Sequence, residues 1–135
     1  MVNAVVHTPE RALVTGGAGF IGASLVRLLL ERGVSVRVMK VPGDPATNLR
    51  DVMDQIDLVD GDLLDPASLR RALEGCDTLF HLAAIYAIWL PVPRRMFDVN
   101  VQGTRNILSV ARELGVSRVV HTSSIAAVGS RGDKR

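Results

Sequence analysis

The residues "TGGAGFIG" (Thr15 to Gly22) are the stretch of this chain most clearly suited to binding chemistry. Gly16, Gly19 and Gly22 fit GxxGxxG, and Gly17, Gly19 and Gly22 fit GxGxxG. Early glycines permit positive φ and bring the backbone close to a bulky anion, and the third lets a helix pack tightly on its strand. A helix opening there aims its first N–H groups, at Phe20 and Ile21, and the positive end of its dipole at the same point. The chemistry that follows is cradling of a pyrophosphate. The alternative is a glycine-rich turn kept for packing alone.

Two further positions bear on chemistry. In "VSVRVMKVPGD", the end of the second apolar run falls on Lys40, and nothing acidic appears before Asp44. Dinucleotide sites that take NAD place a carboxylate there to accept from the adenosine ribose; an ammonium instead attracts a 2′-phosphate. NADP is therefore the expected cofactor, with NAD as the alternative, and Arg37 or Arg50 as helpers to Lys40. A solvated lysine at a strand end is the competing reading. Near the other terminus, Ser123 and Ser124 in "HTSSIAAVG" follow an apolar run. They form either a catalytic shelf at the end of a strand or an ordinary polar turn.

The elements that must position these residues alternate along the chain. Leu13 to Thr15 reads as a strand, and Ile21, Leu25, Leu28 and Leu29 follow at helical spacing up to Gly33. Val34 to Met39 is strand-like, a weak helical pattern covers Asn48 to Asp54, and Ile56 to Leu63 carries a third strand. Asp65-Pro66 is an N-cap followed by proline at the first helical position, opening a helix to Glu74. Thr78 to Leu82 is a fourth strand, Pro93 to Leu114 a long helix, and Arg118 to Thr122 a fifth strand. Alternation of this kind predicts an α/β fold: a doubly wound parallel sheet of about five strands, joined by right-handed crossovers. Residues 1–10 read as a flexible tail and residues 11–135 as one dinucleotide-binding domain.

Composition excludes several classes. With 135 residues, 47% of them hydrophobic and 22% charged, the chain is sized for one globular core. Aromatics make up only 4%, and sixteen basic against fourteen acidic residues leave +2, so no nucleic-acid partner is expected. Cys76 is the single cysteine, which points to a reducing compartment. The first ten residues lack a basic n-region and a long apolar core, so no signal peptide is expected in them. The uncharged stretch Leu82 to Pro93 is too short to span a membrane. A cytoplasmic protein with no metal site is expected.

Five segments in order resemble the extended short-chain dehydrogenase/reductase family, also called the NAD-dependent epimerase/dehydratase family. They are "TGGAGFIG", "GDLLD", "HLAA", "NVQGTRNIL" and "VVHTSS", and the resemblance runs from about Arg11 to Gly129. Within it, "AAIYAIWLPVPRRMFDVNVQGT" and "HTSSIAAVG" are most similar to the dihydroflavonol-reductase-like branch, which includes hopanoid-associated sugar epimerases. Val128-Gly129, where many members have Tyr-Gly, fits that branch. The resemblance implies that Asp62 and Leu63 lie near an adenine and that Leu82, Ala83 and Ala84 line the cofactor. It also implies that Asn100 helps shape the site and that Ser124, with Ser123 beside it, works on a small-molecule substrate. Each has a plainer counterpart: Asp62 as a turn cap, Asn100 as a solvent-facing residue, His81 as a satisfied core histidine. Tyr86 and Trp89 either meet substrate or pack on another part of the protein. Arg131-Gly132-Asp133 is read as a chance tripeptide.

The family's chemistry also uses a Tyr-x-x-x-Lys pair after the serine. Here Tyr86 is the single tyrosine, it precedes the serines, and Leu90 stands four residues on. The expectation is an N-terminal part of a longer reductase or sugar epimerase/dehydratase, or a truncated, non-catalytic binding module. Its fifth strand would be an open edge that invites association, a homodimer among the outcomes.

Overall fold

In the computed structural model, residues 8–87, 89 and 91–127 are described, with the side chain of Ala126 excepted. Most of the expected N-terminal tail, Val128-Gly129 and the Arg131-Gly132-Asp133 tripeptide lie outside them. Five parallel strands form one sheet in the order β3-β2-β1-β4-β5. They are β1 (Arg11–Thr15), β2 (Ser35–Lys40), β3 (Asp57–Asp60), β4 (Thr78–His81) and β5 (Arg118–His121). The chain winds outward from β1 to β3, then crosses back to place β4 on the other side of β1. The loops leaving β1 and β4 therefore part in opposite directions, and open α/β sheets hold ligands at that point.

β1 is buried on both faces from Ala12 to Thr15, which explains its unbroken apolar run. Helix α1 (Phe20–Glu31) buries Gly22, Ala23, Val26 and Leu29 at helical spacing against one face, together with Leu49 and Val52 of a 3₁₀ helix (Thr47–Gln55). Gly33 ends α1 at φ 75°, its N–H donating to the Leu30 carbonyl while Val34 reaches Leu29. Helices α2 (Pro66–Leu73) and α4 (Thr104–Glu113) cover the other face through Leu69, Leu73, Ile107 and Val110. Asp65 caps α2 as expected, its carboxylate accepting from the Ala67 N–H at 3.0 Å.

Strands match the sequence reading closely, with differences that have local causes. β3 stops at Asp60 rather than Leu63 because Gly61 makes the last sheet bond, to the Lys40 carbonyl at 2.9 Å. Asp62 then turns the chain, with its Oδ1 accepting from Leu64 N–H at 2.9 Å. The long helix is not uniform: α3 (Pro93–Phe97) passes through a π-helical turn (Asp98–Gly103) into α4. In that turn the Thr104 hydroxyl donates to the Asn100 carbonyl at 2.7 Å. Gly103 there lies so close to Leu63 that an added Cβ would stand 2.7 Å from the Leu63 Cβ. β5 pairs with β4 alone among the described residues and is exposed along its whole length, the open edge that was expected.

Candidate functional site: a cleft at the carboxyl ends of the strands

A cleft of about 370 Å³ opens where the loops after β1 and β4 diverge. Its floor is the glycine turn. Gly16 has φ +71°, and a Cβ there would lie 2.7 Å from the Ala83 nitrogen, so only glycine fits. Gly22 is buried against the turn, where a Cβ would meet the Gly16 carbonyl oxygen at 2.1 Å. The third glycine thus seats α1 directly on the turn. Gly17 keeps negative φ and serves packing, since a Cβ would fall 2.8 Å from Val38 Cγ1. Gly19 is the N-cap of α1 with no side chain to occupy the helix end, and its N–H closes the turn on the Gly16 carbonyl at 3.0 Å. Asn48 steadies the turn from the 3₁₀ helix, donating to the Ala18 carbonyl at 2.9 Å.

The first turn of α1 carries no acidic residue, and Phe20 and Ile21 turn their side chains outward, 88% and 65% exposed. First-turn N–H groups have no intrahelical acceptor. A side-chain-free, positively polarised helix end beside a turn that tolerates no Cβ fits a bulky anion such as a pyrophosphate.

Around this floor the cleft brings together Gly16, Gly19, Lys40, Asp62, Leu63, Leu82, Ala83 and Ala84 of the expected residues. Gly17, Phe20, Ile21, Gly22 and Asn100 support it from behind or flank it. Asn100 is neither solvent-facing nor on the cleft wall. Its Oδ1 accepts from Ile85 N–H at 2.7 Å and its Nδ2 donates to the Ile85 carbonyl at 2.8 Å, clamping the loop after β4. Leu63 is held by Asn106, whose Nδ2 donates to its carbonyl at 2.9 Å. Asp62 both lines the cleft and caps its turn.

The charges depart from expectation in part. Lys40 lies in the cleft, but its Nζ is 2.5 Å from Asp60 Oδ1, its register partner on β3. Arg37 is not a helper to it. Its Nε donates to Asp57 at 2.6 Å, and its Nη1 donates to the Ala72 and Glu74 carbonyls at 2.9 and 2.8 Å, capping α2 at the far end of the sheet. Arg50 lies exposed on the 3₁₀ helix, away from the cleft. The arginine that does line it is Arg95 of α3, joined by Asp44, Met39, Gly61, Ile85 and Val99, none singled out from the sequence.

His81 is fully buried, with Nδ1 2.7 Å from Thr15 Oγ1 and Nε2 3.1 Å from Thr104 Oγ1. Burial, aided by the charge of the stacked His121, pushes its pKa down to about 4. It is the satisfied core histidine of the plainer reading. Tyr86 and Trp89 are 95% and 77% exposed, so neither is packed within the described fold. Ser123 and Ser124 are exposed just beyond β5, at the same sheet edge as the cleft but two strands from the glycine turn. The Ser124 carbonyl accepts from Ala127 N–H at 2.9 Å and starts a 3₁₀ turn (Ile125–Ala127). Among the described residues no helix is long and apolar enough to cross a membrane, and no group of three or more His, Cys, Asp or Glu could hold a metal.

A parallel sheet in the order β3-β2-β1-β4-β5, with a glycine turn from its central strand into a helix, is a Rossmann-type fold. The chain belongs to the 3-beta hydroxysteroid dehydrogenase/isomerase family, whose model matches residues 13–135, and so to the extended short-chain dehydrogenases/reductases. It is 44% identical over 132 residues to a putative dihydroflavonol 4-reductase of Synechocystis, covering 98% of this chain and 38% of that protein. It is 42% identical to a 3 beta-hydroxysteroid dehydrogenase/Delta 5-->4-isomerase of Mycobacterium tuberculosis, covering 87% of this chain and 32% of that one. Among solved structures, UDP-glucose 4-epimerase from Brucella ovis in complex with NAD superposes with TM-score 0.77 at 32% identity, covering 91% and 39%. The chain thus spans less than two fifths of the length of these relatives.

Proposed function

We propose that this chain binds a nicotinamide dinucleotide in the cleft. In this reading it serves an oxidoreductase or sugar epimerase/dehydratase acting at a secondary alcohol or ketone of a small-molecule substrate. The observation that carries the reading is the glycine turn: a backbone cradle closed to any Cβ at Gly16, ending in an uncapped helix N-terminus. The NAD named with the Brucella epimerase and with a short-chain dehydrogenase/reductase from Agrobacterium tumefaciens supports the class of cofactor.

When bound, such a cofactor gives or takes hydride at C4 of its nicotinamide. The chain's own residues hold it. The Gly16–Ile21 backbone meets the pyrophosphate, Asp62 and Leu63 border the adenine, and Leu82 to Ala84 line the opposite wall. Ser124, with Ser123 beside it, orients the substrate oxygen. Lys40 favours NADP over NAD by attracting a 2′-phosphate, while Asp60 shares its ammonium and weakens that pull.

Calorimetric titration of the chain with NADPH and NADH tests this. Saturable binding with NADPH the tighter ligand is expected, and Lys40→Gln narrows the gap. Absence of saturable binding by either nucleotide sinks the assignment, and tighter NADH overturns the role of Lys40.

A further inference from the structure

His81 stands in the middle of a continuous run of hydrogen bonds beneath the cleft. On one side its Nδ1 is 2.7 Å from Thr15 Oγ1, and that oxygen accepts from the Ala83 N–H at 3.2 Å. On the other side its Nε2 is 3.1 Å from Thr104 Oγ1, which donates to the Asn100 carbonyl at 2.7 Å. The Asn100 side chain then grips both the N–H and the carbonyl of Ile85. Both ends of the run therefore terminate on one stretch of the cleft wall, Ala83 to Ile85.

The chemistry of the groups fixes the direction of every bond. A carbonyl only accepts, so Thr104 donates its single proton to Asn100 and must accept from His81. The ring proton is thereby placed on Nε2. Nδ1 is left as an acceptor, so the Thr15 hydroxyl donates to it while accepting from Ala83 with a lone pair. A protonated ring would present a second N–H to Thr15 and break this order. His121, stacked on the ring at 5.1 Å from β5, is the titratable neighbour; Thr15 from β1 and Thr104 and Asn100 from the helix do not titrate. Burial and His121 keep the ring neutral.

We propose that His81, as the neutral Nε2–H tautomer, is a positioning residue that sets the Ala83–Ile85 wall of the nucleotide cleft through Thr15 and Thr104–Asn100. The effect on nucleotide rests on the binding reading above; the proton order does not. No contact between His81 and nucleotide is involved.

Ring ¹⁵N spectra of the full 135-residue chain at pH 7 should place the His81 proton on Nε2. Thr104→Val should speed amide exchange at Ala83 and Ile85 and weaken NADPH binding about five- to tenfold, the scale of one lost buried hydrogen bond. Thr104→Ser, which keeps the hydroxyl, should restore both, whereas a purely space-filling role predicts the reverse ranking. A proton on Nδ1 overturns the proposal, as does Thr104→Val with unchanged exchange and affinity. If the wild-type chain binds neither nucleotide, the functional reading falls, and the proton order is still decided by the ring spectrum and amide exchange.

Discussion

At the amino-terminal edge of the sheet, Asp77 Oδ2 accepts from the N–H groups of Glu10 and Arg11, both at 2.9 Å, and its carbonyl accepts from Ser117. Beside it, Asp57 takes Arg37 at 2.6 Å and Arg11 at 3.0 Å. Charged side chains there are committed to each other and to the starts of β1 and β4, and the Asp77 carbonyl holds the start of β5. The carboxyl-terminal edge keeps some charge, the Lys40–Asp60 pair with Asp44, Asp62 and Arg95, but its floor is glycine and main-chain amides, and its tethers (Asn48, Asn100, Asn106) hold backbone. One edge joins the strands, and the other leaves backbone donors aimed at open space. Changes at the amino-terminal edge should therefore cost stability and spare binding, whereas changes at the glycine turn should reach binding.

The largest effect is expected at Gly22. Alanine there drives a Cβ into the Gly16 carbonyl, which forces α1 off the turn. Urea unfolding should show a loss of about 3 kcal/mol, the upper end for overpacking, and nucleotide binding should vanish with it. Next comes acid. His81 is neutral in the fold down to a pKa of about 4, whereas the unfolded chain protonates it below about 6.5. The unfolded state then binds the extra proton, so stability falls as pH drops through that window, by about 2 to 3 kcal/mol in urea titrations. Replacing His81 with glutamine should flatten this slope.

Asp77→Ala works on the other edge. Loss of its amide contacts should cost about 1 to 2 kcal/mol while leaving nucleotide affinity of the folded chain within about twofold. A large drop in affinity would show that the edges are not independent. The smallest effect is at Asp57, whose carboxyl is held below its ordinary pKa chiefly by Arg37. Because the pair is partly exposed, Asp57→Asn should cost no more than about 1 kcal/mol at neutral pH. That stability is present above the ordinary carboxylate pKa and lost as pH falls through the lowered one. Variant and wild type should therefore converge in acid.

Much of the fold was legible because the apolar runs and terminating glycines are local signals. β1, β2, β4 and β5 fall within about two residues of the sequence reading, and the glycine turn sits where its spacing put it. What stayed hidden depends on register and on distant neighbours. The pairing of Lys40 with Asp60 follows from the alignment of β2 on β3, which no local pattern encodes. Arg37 looked available because the carbonyls it caps belong to α2, more than thirty residues on. Arg95 entered the cleft through the placement of α3, and the π-helical turn from Asp98 to Gly103 has no local pattern that marks it. Asn106 had a detectable signal, the second asparagine of "NVQGTRNIL", but its partner, the Leu63 carbonyl, lies in another segment.

The backbone of the glycine turn is the proposed anion-binding surface of this chain. Amide NMR during titration with NADPH tests it most directly. Saturable shifts are expected, largest at Gly16, Gly17, Gly19, Phe20 and Ile21, smaller at Ala83 and Ala84, and absent at Arg11 and Asp77. Saturable shifts centred on the amino-terminal edge, or no shift at the glycine turn, would contradict it.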